Sequence, residues 1–488
     1  MTGANQTKPS DTRVSDTRIS EAKPSDFEEN RAKTKKALPA LLIIFVLGTL
    51  MIQAFNLVYQ NIGDSLHMSA SASLISTLPG IILGVVCMLY GTLCDFISPK
   101  HMTIFGVSAL TLGSLLGFFG SGDFWLILVA RIIQVAGGQV AGSVFLVMSV
   151  KYLTDKEKAI YLGIYNAAYY LAAAIGVFAG GLLESIGYKW LLLIPALSVL
   201  FVPLLLKNTP DISMKGSRID VLGILIFALI AAFIAIYFSY PSVWYIVAAV
   251  VLSLVFGFYV AKGKNPFLSK KFVTNKAYMS SILILFVYYF FNFACVPIYQ
   301  VIGEGIYSIS LTQVSFYLTF VYLVATVLGV VSGPIVNKLG RFNTMVLSSV
   351  LMIVGFGGSA LCIKTSFVLL TFFACLFIAG ITIVYTPIYD AASDALPVEE
   401  NGRGIGICDL TMNTAASIGL AIYSSLMVNR GFASHGWIMA GNAAINKTAN
   451  MFWIMLAASI ITLILVFVFR KNLEGKRVQG RFVGRGYF

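Results

Sequence analysis

The stretch Leu126–Val150, LILVARIIQVAGGQVAGSVFLVMSV, decides how the rest of the chain is read. It is long and apolar enough to cross a bilayer, which takes about 20 apolar residues in a helix. Yet it carries Arg131. Counted from Asp123, where the apolar run begins, Arg131 sits eight residues in, about 12 Å deep at a rise of about 1.5 Å per residue. A charge at that depth costs at least a few kcal/mol, so it faces a bundle interior or a wet cavity. The spacing agrees. Arg131, Gln134, Gly138, Gly142, Phe145 and Ser149 recur every three or four residues and share one helix face. Snorkelling to the interface is the competing reading. Arg131 is, however, the only Lys or Arg of 34 inside an expected span.

Composition sets the class. The 488 residues are 58% hydrophobic and 11% charged, with a mean hydropathy of +0.86, whereas a soluble domain is about 25% charged. The reading is an all-α polytopic membrane protein. Fourteen apolar spans are expected, near 38–62, 70–93, 102–121, 124–150, 159–183, 190–206, 219–238, 243–260, 278–302, 312–336, 343–362, 366–388, 404–428 and 449–469. Residues 1–37 are polar and repetitive, with KPSD and SDTR each occurring twice. They lack the apolar core of a secretory signal and are expected to be a disordered cytoplasmic tail. A basic tail is expected over 470–488.

Lys and Arg divide unequally between the two sides. With an even number of spans both termini share one side, and 29 cations fall there against four opposite: Lys189, Lys364, Arg430 and Lys447. The positive-inside rule places both termini in the cytoplasm of a cell-membrane protein. The net charge of +13 then reflects topology and contact with anionic lipid, not nucleic acid. The six cysteines form no CxxC or Cys/His cluster, and the three histidines, His67, His101 and His435, fall in expected loops. No metal, cofactor or enzymatic site is expected.

The chain repeats itself. The second span ends in Gly91-Thr-Leu-Cys-Asp95 and reaches Lys100; the tenth ends in Gly333-Pro-Ile-Val-Asn337-Lys338-Leu-Gly340-Arg341. The copies lie 242 residues apart, about eight spans at about 30 residues each. That spacing suits two six-helix halves, 38–206 and 277–469, with two extra helices and a loop between them at 207–276. Repeated halves around a midplane site are a transporter architecture.

These motifs resemble the major facilitator superfamily, in particular its fourteen-helix drug:proton antiporters, the tetracycline- and quinolone-type exporters. Gly91-xxx-Asp95 and Asn337-Lys338-Leu-Gly340-Arg341 resemble the helix 2–3 loop motif and its second-half copy. Arg131-Ile-Ile-Gln134 is similar to the fourth-helix R-x-x-Q-G-x-G motif, and Gly176-Val177-Phe-Ala-Gly180-Gly181 to the fifth-helix antiporter motif. The chain departs from the pattern at Val177 for proline, at Val135 for glycine, in having only Lys100 after Asp95, and in lacking an acidic residue in its first helix. The resemblance implies a proton-coupling role for Arg131 and a cytoplasmic gate at Gly91, Asp95, Lys100, Asn337, Lys338 and Arg341. Gly176, Gly180 and Gly181 are expected to let helices approach closely.

Proton coupling needs a carboxylate, and no Asp or Glu lies deep in an expected span; Asp409, just inside the thirteenth, is the best placed. Its bland alternative is favourable interaction with a helix N-terminus. Asp390 and Asp394, at the end of the twelfth span, read as solvated or gate-lining. A cavity is expected from Gln53, Asn56 and Gln60 on one face of the first span, with Gln134, Asn166, Tyr169, Tyr289, Asn292 and Asn413. Aromatic walls with sparse polar groups suit a flat lipophilic ligand. The expected partners are a small-molecule substrate, protons and the lipid bilayer, for a protein acting as a monomer. Two further readings are a symporter or uniporter of an organic solute, which Val177 and the missing deep carboxylate favour, and a non-transporting membrane receptor.

Overall fold

In the computed structural model, the described residues are 24–474 apart from 94–96, 185, 210–219, 264–265, 267, 269, 397–400 and 439–440. Fourteen helices long and apolar enough to cross a membrane follow one another. They are α1 (Pro24–Ser65), α2 (Leu74–Leu93), α3 (Pro99–Phe119), α4 (Phe124–Tyr152), α5 (Asp155–Glu184), α6 (Lys189–Asn208) and α7 (Val221–Ser239). Then come α8 (Val243–Lys262), α9 (Lys276–Gly305), α10 (Leu311–Leu339), α11 (Arg341–Leu361), α12 (Phe367–Asp394), α13 (Asn401–Val428) and α14 (Ala443–Val468). Helices α1–α6 and α9–α14 form the two six-helix halves. Below, the side on which α1 begins and α14 ends is called the basic side.

Proline chemistry explains the two irregular helices. Pro195 and Pro203 open successive pieces of α6, which runs as α-helix, 3-10 helix and α-helix again, because each proline lacks the N–H that an i→i−4 bond needs. In α9, Pro297 would clash with the carbonyl of Phe293 in a continuous helix. The helix therefore stops at Tyr289, passes through a 3-10 turn at Asn292–Ala294 and resumes as Cys295–Gly305. The displaced Phe290 carbonyl rests on Gly419 of α13, where a Cβ would come within 1.5 Å of it.

Small residues set the helix crossings. A Cβ on Gly48 of α1 would lie 2.9 Å from the backbone of Gly138 of α4, and one on Gly176 of α5 would lie 2.0 Å from the Leu50 carbonyl of α1. The halves repeat the device. Gly137 backs onto α3 at Leu110, as Gly380 of α12 backs onto α11 at Ser348. Such contacts replace the hydrophobic drive that lipid does not supply.

The two extra helices form a hairpin outside the twelve. Asp220 caps α7 through the Gly223 amide (2.9 Å) and accepts a hydrogen bond from Tyr259 of α8 (2.5 Å). α7 packs on α2 and α13; of α8 only Ala249 is buried.

The structure corrects the expected N-terminal tail. Residues 24–37 are not a disordered extension but the start of α1, a 42-residue helix, about 63 Å long at the usual rise. Glu28 and Glu29 suit a helix N-terminus and pair one turn on with Arg31 and Lys33. Glu157, on the basic side of α5, binds both Arg31 (2.7 Å) and Lys35. The two cations hold its carboxyl well below the usual range. Residues 1–23 and 475–488 lie outside the described residues. His101, expected in a loop, is in the first turn of α3, bonded to Ser98 (2.7 Å).

Candidate transport site

Arg131 faces inward, as its helical spacing predicts. Asp123 caps α4 by accepting from the Leu126 amide (2.9 Å), and this fixes the start of the helix seven residues before Arg131. The side chain is 1% exposed. One guanidinium nitrogen donates to Gln134 Oε1 (3.0 Å), another to the Met51 carbonyl of α1 (3.3 Å), and the group lies 4.1 Å from the Phe55 ring centroid. Gln134 donates onward to Ser114 of α3 (3.1 Å) and to the Leu192 carbonyl of α6 (2.8 Å). Among the described residues Arg131 has no acidic partner, and its Nε bonds to nothing. The cation is clad in one side-chain amide, one backbone carbonyl and an aromatic face, and through Gln134 it helps tie together four helices of one half.

Asp409 lies elsewhere. It sits eight residues into α13 from the basic side, about 12 Å deep, while Arg131 is about 10 Å from the opposite end of α4. The two charges lie toward opposite ends of their helices, and among the described residues no contact joins them as a coupling pair. Among the described residues, Asp409 is instead the one acid set among tyrosines of both halves. Tyr389 of α12 donates to its Oδ1 at 2.6 Å, and Tyr385 stacks on Tyr389 with centroids 4.2 Å apart. The carboxylate also acts electrostatically on Cys87 of α2, Tyr165 and Tyr169 of α5, and Tyr278 and Tyr289 of α9. Asp409, Tyr165, Tyr169, Tyr385, Tyr389, Cys87 and Met412 all keep partial exposure. Tyr165 stacks on Phe45 at 4.5 Å and faces Phe145 at 5.6 Å.

Sequence reasoning missed Tyr385, Tyr389, Tyr278 and Cys87 as members of this cluster. The signal was present for two of them. Tyr385 and Tyr389 stand four apart, and so share a face.

The expected polar wall of α1 is not a cavity lining. Gln53 and Asn56 are 4% and 1% exposed and bond to each other (3.2 Å), and Gln60 bonds to Asp64 (2.9 Å). Hydrogen bonds inside the helix engage all three, and at Gln53 and Asn56 polarity marked burial. Gln134 serves the Arg131 nest. Asn413 is buried and bonds to its own helix at the Asp409 carbonyl (2.9 Å). Tyr289 donates to the Ile381 carbonyl (3.2 Å). Asn292 is half-buried in the break of α9. Asn166 bridges the halves, donating to the Gly329 carbonyl of α10 (3.2 Å).

Away from the basic side the halves are bolted together. Gln300 of α9 bonds Asn61 of α1 (2.5 Å), Tyr59 bonds Ser424 of α13 (3.0 Å), and Thr312 of α10 donates to the Gly181 carbonyl (2.8 Å). Gly180 backs onto Ala54 of α1 and Gly181 onto Ser315 of α10.

On the basic side, Arg341 pairs with Asp390 and Asp394 of its own half. Gly340 turns the chain between α10 and α11 with φ +80°, a conformation that glycine adopts freely. Asn337 and Lys338 are exposed, and Lys100 is half-buried in the first turn of α3. Gly91 is in the last turn of α2. Asp95, the acid of the expected gate, lies outside the described residues.

Comparison with known proteins agrees with this architecture. The Major Facilitator Superfamily pattern matches residues 41–221, 217–420 and 278–485. The multidrug transporter protein MdtP of Bacillus subtilis is 21% identical over 352 residues, covering 69% of this chain and 65% of that protein. The quinolone resistance protein NorB of Staphylococcus aureus is 21% identical, covering 68% and 75%. The MFS-type transporter ucsD of an Acremonium species is 27% identical over 278 residues, covering 50% and 45%. The match thus spans from about half to two thirds of several of these relatives. Among solved structures, an auto-inhibited POT family peptide transporter superposes with a TM-score of 0.66 at 12% identity, covering 92% of this chain and 99% of that one. A D-xylose–proton symporter gives 0.64 at 11% identity, covering 90% and 99%. At such identities the superpositions speak for the fold.

Proposed function

Since the chain belongs to the Major Facilitator Superfamily, and so is a membrane-embedded transporter and not an enzyme, we propose that it exports amphiphilic aromatic compounds in exchange for protons. One observation carries the reading: a single carboxylate, Asp409, half-buried among tyrosines contributed by both halves. A carboxyl group in such a place takes up and releases a proton as its surroundings change. The tyrosine faces accept a flat, lipophilic, preferably cationic guest. Proton and substrate then compete for one site, which is how exchange is coupled.

The positive-inside bias puts the basic side in the cytoplasm. The bolts Gln300–Asn61, Tyr59–Ser424 and Thr312–Gly181 then close the external mouth, and the Asp409 cluster belongs to the cytoplasmic side. Breaking them while the cytoplasmic side closes gives alternating access. The names of MdtP and NorB support a drug as substrate. The wholly buried Gln53–Asn56 pair gives no support to a cavity on α1.

The test is transport by the purified full chain in proteoliposomes, with ethidium as probe and an imposed pH gradient. Antiport predicts accumulation that reverses when the gradient is reversed. Flux indifferent to the gradient sinks the reading and leaves a uniporter; flux with the proton gradient, in the same direction, leaves a symporter.

A further inference from the structure

We infer that Tyr389 is a functional residue of the proton site: its phenol holds the charged form of Asp409 and sets the pH at which that carboxylate takes up a proton. The inference rests on the reading of Asp409 as the proton carrier. It goes further by assigning the control of proton affinity to one donor on the neighbouring helix.

The geometry isolates that donor. Among the described residues, the 2.6 Å bond from the Tyr389 hydroxyl is the one hydrogen bond to the Asp409 side chain. Among the described residues, the titratable groups near the carboxylate come from five helices. They are Cys87 on α2, Tyr165 and Tyr169 on α5, Tyr278 and Tyr289 on α9, Tyr385 and Tyr389 on α12, and Cys408 on α13 itself. All are neutral acids at neutral pH. Among the described residues no Lys, Arg or His pairs with Asp409, so no cation offsets its charge. Several of the other phenols are committed elsewhere: Tyr278 donates to the Gly404 carbonyl (2.8 Å), Tyr289 to the Ile381 carbonyl (3.2 Å), and Tyr165 engages Gln139.

Position adds a second reason. Stacking against Tyr385 at 4.2 Å fixes the Tyr389 ring, so the donor is held in place before a proton arrives. Tyr389 and Asp409 stand on different helices, α12 and α13, and Asp390, adjacent to Tyr389, is held by Arg341 at the foot of α11. A movement of the α11–α12 end relative to α13 would lengthen the phenol–carboxylate bond and so favour proton uptake. Proton affinity is thereby tied to helix position.

A hydrogen bond to a charged partner is strong enough that its loss moves a titration midpoint by about one to two pH units. The measurement is infrared titration of the carboxylic acid C=O stretch in the purified full chain, between pH 4 and 10. Asp409→Asn identifies the band by removing it. Tyr389→Phe is expected to move the midpoint of that band alkaline by at least one unit. Tyr165→Phe, which removes a nearby phenol that does not bond Asp409, leaves it in place. Tyr389→Met replaces the phenylalanine variant if that variant is not monodisperse, with the same expectation. An unmoved midpoint, or an equal shift in Tyr165→Phe, overturns the assignment. The titration needs no substrate and no transport, so it stands or falls apart from the exporter reading. If the band titrates as stated while flux ignores the pH gradient, the exporter reading fails and the Tyr389 assignment holds.

Discussion

The Arg131 nest and the Asp409 cluster each hold one deep charge without an ionic partner, and they hold it in opposite ways. Arg131 is fully buried, bonded within one half and sealed under α1. Asp409 is half-buried, accepts from one phenol among the described residues, and has tyrosines of both halves near it. An arginine stays charged whatever surrounds it, so clothing it in fixed dipoles makes a strut. A carboxylate escapes desolvation by taking a proton, so a single donor and partial solvent make a switch. The family resemblance points to the arginine for coupling; we propose instead that the arginine belongs to the scaffold and that Asp409 is the switch.

The largest effects separate these roles. Asp409→Asn should reduce gradient-driven accumulation at least tenfold and remove the dependence of the remaining substrate exchange on pH. Arg131→Ala should also reduce transport at least tenfold, but at every pH alike, with a lower melting temperature, because Gln134 and the α1–α4 contact lose their common partner. Arg131→Lys keeps the charge but not the two-sided bonding, so it retains part of the activity. Transport against pH, measured beside thermal unfolding, decides. If Arg131→Lys moves the pH profile and Asp409→Asn does not, the roles are reversed.

The same contrast extends to the backbone. Gly176→Ala drives a Cβ to 2.0 Å from the Leu50 carbonyl. Backbone cannot yield as a side-chain tip does, so α5 must shift from α1, a cost of about 1–3 kcal/mol for overpacking. Gly333→Ala meets nothing within 4 Å and should be silent. Fluorescence-detected size exclusion after graded heating checks both. Equal loss in the two variants would show that the close approach is not what Gly176 is for.

The fold was legible because bilayer physics leaves few solutions. Span number and length, the side bias of Lys and Arg and the two-copy loop motif are coarse signals, and none depends on side-chain contacts. The inward face of Arg131 was legible for the same reason, since burial cost leaves a periodic mark. The site was less so. Gln53, Asn56 and Gln60 share a helix face in the sequence, but periodicity does not distinguish polar groups facing a cavity from polar groups bonded to one another. The Asp409 cluster is assembled by five helices, and no local pattern announces a phenol on α12 meeting a carboxylate on α13. The helical start at Pro24 went unread because its support, Glu157, lies over 120 residues downstream.

The smallest expected effect lies at the repeated loop, where the second copy is fully described. Asn337 and Lys338 project from the end of α10 and are exposed, and surface substitutions of this kind change stability by less than about 0.5 kcal/mol. Asn337→Ala should therefore leave transport and melting temperature near wild type. Arg341→Ala should cost more, since it releases Asp390 and Asp394 together at the end of α12. Part of that loss is Coulombic, so 0.5 M salt should narrow the gap between the variant and the wild type. In the first copy an ionisable Asp95 takes the place of Asn337; an amide does not form an ion pair, so Asp95→Asn should impair transport more than Asn337→Ala. Transport rates of the three variants at matched expression give the order. Should Asn337→Ala prove the most harmful, the charge asymmetry between the two copies is not what distinguishes the halves, and the neutral copy is the working gate.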